Sequence, residues 1–357
     1  MRILFVFLFL VSNLIFGQQT YYNDVNLNLS GMALKNALAT KITDTHTNIL
    51  TYSEAENALR VTDLDPDDNT DTNLLLIYGF SSSICPSSTS DDNDHRRRDK
   101  NSDGGGSTCE WNREHTYAKS LGTPNLGESG PGADAHHLRA SDVQRNGDRG
   151  SEKFVDGSGT SHDVTSSTWY PGDEWKGDVA RMMMYMYLRY GDQCLPDNVG
   201  NGNPVSNDVH MIDLFLEWNI EDPVSQVEIN RNEYLGNANN SFGQGNRNPF
   251  IDNPYLATRI WGGLAAQDTW GIYLSNEDYF STNFHIYPNP AHSFVFVENN
   301  DESRINSYDI FSILGERIQS GQLAQDNSIS VENIAAGMYW LQVNTDTSSS
   351  IEKIIIQ

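Results

Sequence analysis

A chain of 357 residues is long enough for two domains, each with a buried core. Its 48 acidic against 23 basic residues leave a formal charge of −25, which excludes long-range attraction to polyanions. Any contact with nucleic acid must therefore be made locally.

Arg2 is followed by an apolar run from Ile3 to Leu10 that continues to Phe16 and ends at Gly17, the pattern of a cleaved secretory signal peptide over residues 1–17. Ser12 and Asn13 interrupt the run, which falls short of the ~20 apolar residues of a membrane anchor. Met32, Leu34, Leu38, Ile42, Ile49, Leu50, Ala55 and Leu59 predict one or two amphipathic helices. Asp65, Asp67, Asn69 and Asp71 alternate as in a calcium loop, but the glycine and glutamate such a loop needs are missing, so a solvated acidic turn is expected. Asn73 to Phe80 contains the run Leu74-Leu75-Leu76-Ile77-Tyr78 and predicts a buried strand.

Cys85 and Cys109 flank a polar stretch, Asp91 to Ser107, and a disulfide between them is the expected pairing in an oxidising compartment, leaving Cys194 free. Three unpaired thiols are the alternative. Within that stretch the run Arg96-Arg97-Arg98 reads either as a phosphate-touching arm or as a solvated loop. From His95 to Lys153 ten basic residues face nine acidic ones, a near-neutral island in an acidic protein.

Asp178 to Tyr190 predicts a strong helix, with an acid at its start, Gly191 past its end and methionines suited to filling a core. A second helix is predicted over Val209 to Trp218 and a loop over the Gly- and Asn-rich segment Gly236 to Pro249. After about Ser275 come short alternating runs: Phe284 to Tyr287, Phe294 to Glu298, Ile305 to Leu314, Ile329 to Val331, Met338 to Val343 and Ile351 to Ile356. They predict a small all-β sandwich. The architecture expected is α+β: a mixed helical and β domain over residues 22–275, then the sandwich over 282–357.

The stretch from Trp111 to Arg139 concentrates hydrolytic chemistry. Cleaving a phosphodiester requires an activated water, stabilisation of charge on the phosphoryl oxygens and help for the leaving oxygen. His115 is the best general base, because imidazole titrates near working pH. Glu114 supplies a hard oxygen ligand for Mg2+. Neighbours on a strand point to opposite faces, so these two can share a site only at a strand end or a bulge. Asp134, His136, His137 and Arg139 follow, and Ser141 is placed to cap a helix carrying Asn146, whose amide oxygen would be a second ligand. Arg139, Arg145 and Arg149 offer guanidinium forks for phosphate, although Arg145 and Arg149 also fit a solvated helix face. The pair His136-His137 raises zinc, but no His-Glu-x-x-His and no cysteine pair at ligand spacing accompany it.

Five segments occur in order: Asn112-Arg113-Glu114-His115, Gly130-Pro131-Gly132-Ala133-Asp134-Ala135-His136-His137-Leu138-Arg139, Asn146-Gly147-Asp148-Arg149-Gly150, Lys176-Gly177-Asp178-Val179-Ala180-Arg181-Met182 and Gly245-Asn246-Arg247-Asn248-Pro249-Phe250-Ile251-Asp252. Together, over roughly Tyr52 to Trp261, they resemble the endonuclease I family. The resemblance implies a secreted, non-specific nuclease with a ββα-metal (His-Me finger) site. In it His115 is the general base, Glu114 and Asn146 hold one Mg2+ for which Ca2+ or Mn2+ can substitute, and Arg139 neutralises the phosphate. Asp134, His136, His137 and Arg149 support the site, with Glu114-His115 on the first strand, His136-His137 on the second and Asn146 on the helix. Ala135, Ala140 and Tyr117 depart from the family's usual Leu, Pro and Trp, which touches packing rather than ligands.

In the tail, Ile286-Tyr287-Pro288-Asn289-Pro290-Ala291, Tyr308-Asp309-Ile310-Phe311-Ser312-Ile313-Leu314-Gly315 and Ala336-Gly337-Met338-Tyr339-Trp340-Leu341 resemble the C-terminal sorting domain of type IX secretion. That implies recognition by the secretion machinery, export and removal of the tail; a carbohydrate-binding or Ig-like sandwich is the alternative. The expectation is a secreted, monomeric, Mg2+-dependent endonuclease without a membrane span after leader removal, cutting DNA, RNA or both with little sequence preference. Two rivals stand beside it: a non-catalytic extracellular binding or adhesion protein on a decayed nuclease fold, and a zinc hydrolase of other esters. Against the first, the base and both ligands are all present.

Overall fold

A computed structural model describes residues 20–80, 95–106, 109–273, 284–299, 305–312, 317–323, 327–345 and 349–357. The expected leader over residues 1–17 lies outside them. The chain divides into two compact units, Met1–Trp270 and Gly271–Gln357.

In the first unit the early apolar pattern resolves into two helices. Helix α1 (Gly31–Asp44) buries Leu34, Leu38 and Ile42, spaced four apart on one face. Helix α2 (Tyr52–Thr62) starts at a capping box, in which the Thr51 hydroxyl accepts from the Glu54 N–H while the Glu54 carboxylate accepts from the Thr51 N–H.

The strand expected over Asn73 to Phe80 is shorter: only β1 (Asn73–Leu75) pairs, antiparallel, with β2 (Arg97–Asp99). Beyond it the backbone finds other partners, the Ile77 N–H reaching the Ala140 carbonyl at 2.9 Å, and Tyr78 then turns with φ +66°. The acidic turn is not simply solvated. Asp65 is buried and ion-paired with Arg97, and Asp68 accepts from the N–H groups of Thr70, Thr72 and Asn73.

Strands β3 (Trp111–His115) and β4 (Leu138–Asp142) pair antiparallel, from Trp111 opposite Asp142 to His115 opposite Leu138. Helix α3 (Val143–Arg149) follows β4 directly. One face of this region packs on Leu59, Leu74, Leu76, Trp111, Leu138, Ala140 and Leu235. The expected second strand included His136 and His137, but these lie in the turn just before β4.

Helix α4 (Lys176–Tyr190) is buried from Gly177 to Leu188, its methionines filling the core as expected. The helix expected from Val209 begins later. Asp208–Ile212 is a strand, and helix α5 (Asp213–Glu221) starts where the Asp213 carboxylate accepts from the N–H groups of Asn203 and Leu214. The loop segment from Gly236 ends at Pro249, as its composition indicates.

The second unit is a β-sandwich. One antiparallel sheet orders Phe284–Tyr287, Phe294–Asn299 and Ser328–Ser330; the other orders Arg317–Gly321, Ile305–Ser312, Gly337–Thr345 and Ser349–Ile356. Its core interleaves Ile286, Val295, Val297 and Ile329 with Ile310, Leu341, Val343, Ile354 and Ile356. Arg317–Gly321 escapes the sequence reading because Arg-Ile-Gln-Ser-Gly shows no apolar alternation.

Candidate active site

The helix that follows β4 is set by Asp142 rather than Ser141. Asp142 Oδ1 accepts from the N–H groups of Gln144 and Arg145, capping α3. Its carboxylate is held from the other side by buried Arg98, whose Nη2 donates to Oδ2 at 2.8 Å, and by His95 Nδ1 at 3.0 Å. Each arginine of the run has a carboxylate partner, and only Arg98 is fully buried. Arg96 pairs with Glu174, Arg97 with Asp65 and Arg98 with Asp142. Of the expected disulfide, Cys109 is disulfide-bonded and Cys194 is free and buried; Cys85 lies outside the described residues.

Glu114 and His115 end strand β3, which lets neighbouring side chains face one space. Together with Asn146 on α3 they line a cleft of about 280 Å3, edged by Arg113, Lys119, Ser120, Asn125 and Arg149. An adjacent pair from β3 and a residue of α3 thus share one cavity. Burial pushes the Glu114 carboxyl up, against the opposing pull of Arg149. Its Oε1 accepts from the Tyr78 hydroxyl at 3.0 Å and lies 3.2 Å from Arg149 Nη1.

Asn146 has its amide orientation forced by its neighbours. Nδ2 donates to the Arg113 carbonyl at 3.2 Å, which only accepts and so fixes the orientation, and to Asn112 Oδ1 at 2.7 Å. Both protons are spent on acceptors, which frees Oδ1 to act as a ligand. A hard divalent cation fits this donor set, one carboxylate and one amide oxygen in a polar cleft with room for waters. Among the described residues no three His, Cys, Asp or Glu side chains converge as ion ligands, so the zinc rival finds no such set there.

His115 Nε2 lies 2.9 Å from the Gly132 carbonyl. A carbonyl only accepts, so Nε2 carries the proton and Nδ1 keeps the lone pair. Burial, with His137 beside it, pushes the imidazole down to about 3, so it stands neutral with a free lone pair but is a weaker base than the near-neutral titration expected from its residue type. The ring stacks on Tyr52 at 5.5 Å between centroids, and the Arg113 guanidinium lies 3.7 Å from the Tyr52 ring.

Of the other expected site residues, Arg149 edges the cleft beside Glu114, whereas Arg139, Asp134, His136 and His137 do not line it. Arg139 is fully buried, its Nη1 2.7 Å from Asp178 Oδ2 and its Nε 3.2 Å from Asp63 Oδ2. Its charge is already matched, so the phosphate role expected of it does not fit this arginine. Arg113 and Lys119 are the partly exposed cations at the cleft edge. Asp134 is a scaffold hub, accepting from the hydroxyls of Tyr185 and Tyr190, both at 2.8 Å, and from Gln244 Nε2 at 3.0 Å. Burial works to raise its carboxyl, but His46, His136 and these hydrogen bonds hold it below the usual range. His136 bonds the Asn246 carbonyl and packs on Tyr185; His137 bonds the Pro131 carbonyl and lies 5.6 Å from the His115 ring. Arg149 is buried, donating to the carbonyls of His115 and Thr116 besides its contact with Glu114. Tyr78, Tyr52 and Asp142 were missed; Tyr78 sits in an apolar run that reads as core.

A strand-strand-helix unit thus presents a carboxylate, an amide and an imidazole to one cleft, in a chain that ends in a β-sandwich. The chain belongs to the endonuclease I family, whose model matches residues 30–255. Residues 285–357 match the secretion system C-terminal sorting domain, so the protein is secreted. Among curated relatives, an extracellular ribonuclease of Bacillus amyloliquefaciens is 41% identical over 254 residues, covering 68% of this chain and 78% of the relative. An extracellular ribonuclease of Bacillus subtilis (strain 168) is 40% identical over 255 residues, with the same coverage. No helix among the described residues is long and apolar enough to cross a membrane.

Proposed function

We propose that this secreted nuclease is a Mg2+-dependent endonuclease that hydrolyses phosphodiester bonds in RNA and DNA with little sequence preference. The observation that carries the reading is the shared cleft of Glu114, His115 and Asn146, with the Asn146 amide turned so that its oxygen is the free atom. Its relatives are named ribonucleases, which supports RNA as a substrate.

Glu114 and Asn146 would hold the ion. When bound, Mg2+ supplies charge stabilisation to the phosphoryl and leaving oxygens. His115 takes a proton from the attacking water at Nδ1, while the Gly132 carbonyl holds Nε2–H and the Tyr52 ring supports the imidazole face. Arg113 and Lys119 neutralise phosphate at the rim, each already able to exchange an acidic partner, Glu56 or Glu128, for substrate.

The test is digestion of RNA, single-stranded DNA and duplex plasmid with Mg2+, with EDTA and with His115→Ala. The expected result is cleavage with Mg2+, none with EDTA, and a loss of roughly 10^2- to 10^4-fold in the variant. Full cleavage by His115→Ala would remove the assigned base.

A further inference from the structure

Tyr78 stands where the apolar run leaves strand β1, and it holds a backbone conformation that does not suit it. The described non-glycine residues with positive φ are Asp71, Tyr78, Cys109 and Asn327. Asp and Asn tolerate the left-handed region because a short polar side chain can bond locally; a bulky aromatic there is an outlier that persists only when its surroundings over-determine it. Here they do. The Tyr78 carbonyl accepts from the Ser161 hydroxyl, the following Gly79 carbonyl accepts from Trp175 Nε1 at 3.0 Å, and the preceding Ile77 N–H is tied to strand β4. Gly79 has no room for a Cβ, which would fall 2.1 Å from the His95 carbonyl oxygen. The Tyr78 ring is fully buried, edge-on to Trp169 at 5.7 Å.

All this restraint delivers one atom. The phenol hydroxyl reaches Glu114 Oε1 at 3.0 Å, the same oxygen that Arg149 Nη1 approaches at 3.2 Å. A carboxylate only accepts, so the phenol is the donor. A hydrogen bond and an ion-pair contact on one oxygen restrain the carboxylate and, with it, the orientation of the second oxygen.

We propose that Tyr78 is a positioning residue for the ion-binding carboxylate: its left-handed backbone aims the hydroxyl at Glu114 Oε1, pinning that oxygen and orienting the other for a divalent cation. This rests on the reading that Glu114 binds the ion. An outer partner of a metal-binding carboxylate typically governs affinity by 10- to 100-fold. A tyrosine that merely fills the core would owe its worth to the ring, which phenylalanine keeps.

Calorimetric titration of the full chain with Mn2+ distinguishes the two, with circular dichroism confirming that each variant is folded. Tyr78→Phe is expected to weaken Mn2+ binding roughly 10- to 100-fold. Ser161→Ala keeps the hydroxyl but removes a tether from the strained peptide, so it weakens binding by a smaller factor; should Tyr78→Phe not fold, this variant carries the test. Glu114→Gln is expected to abolish binding. Mn2+ affinity in a folded Tyr78→Phe within twofold of the parent chain, with Glu114→Gln inactive in binding, overturns the role of Tyr78 alone. Should Glu114→Gln bind as the parent does, the ion site and the inference fall together.

Discussion

Arg139 shows how a side chain beside a reactive motif can be purely architectural. It lies opposite Glu114 in the strand pair, but Asp63 and Asp178 claim its guanidinium in a fully buried site. Removing one partner of such a set leaves uncompensated charge in the interior, which costs about 3–5 kcal/mol. Arg139→Met is therefore expected to lower unfolding stability by roughly that amount while leaving KM of the folded enzyme unchanged. Urea unfolding and steady-state kinetics on the same preparation check it; a raised KM at full stability would return Arg139 to the phosphate. That His115, Glu114 and Asn146 share one cleft was legible from the order of motifs, since each residue type taken singly is a weak signal. Tyr52, Tyr78 and the true partners of Arg139 were not, since they arrive from elements distant in the chain and their residue types speak first of packing.

Helix α3 is short, and its start decides where Asn146 sits. The capping carboxylate of Asp142 does double service, closing the first turn and neutralising Arg98. Losing a cap costs about 1 kcal/mol, and stranding a buried guanidinium adds more. Asp142→Ala is expected to lose roughly 3 kcal/mol or more and to weaken Mn2+ binding, with Asp142→Asn intermediate because the amide still caps but does not neutralise. Equal stability of the Ala and Asn variants in denaturant titration would contradict this. Strand and helix periods were readable where one face is buried, as in α1 and the sandwich strands. They failed where irregular backbone takes over. Leu76 to Tyr78 look like a continuing strand, but their backbone bonds scatter to separate elements, among them Arg96, Ala140 and Ser161.

Each unit of the molecule has a hydrophobic core of its own, one gathered around Trp111 and Leu138, the other between two sheets. The acid-rich composition sets how the first unit meets its substrate. With Arg113 and Lys119 as the partly exposed cations lining the cleft, few condensed counterions can be released. Duplex DNA binding by His115→Ala should then show a log–log salt slope no steeper than about −2, read by fluorescence anisotropy. A slope of about −5 or steeper would require a basic track elsewhere. The Asn146 amide gives this acidity a counterweight. Because the Arg113 carbonyl demands a donor, an aspartate at 146 would face it oxygen to oxygen, although it is the stronger Mg2+ ligand. With Glu114 and Asn146 as the proposed ligands, Glu114 would be the sole anion and a doubly charged ion would retain surplus positive charge. In a chain of formal charge −25, that surplus would draw a phosphate to the cleft.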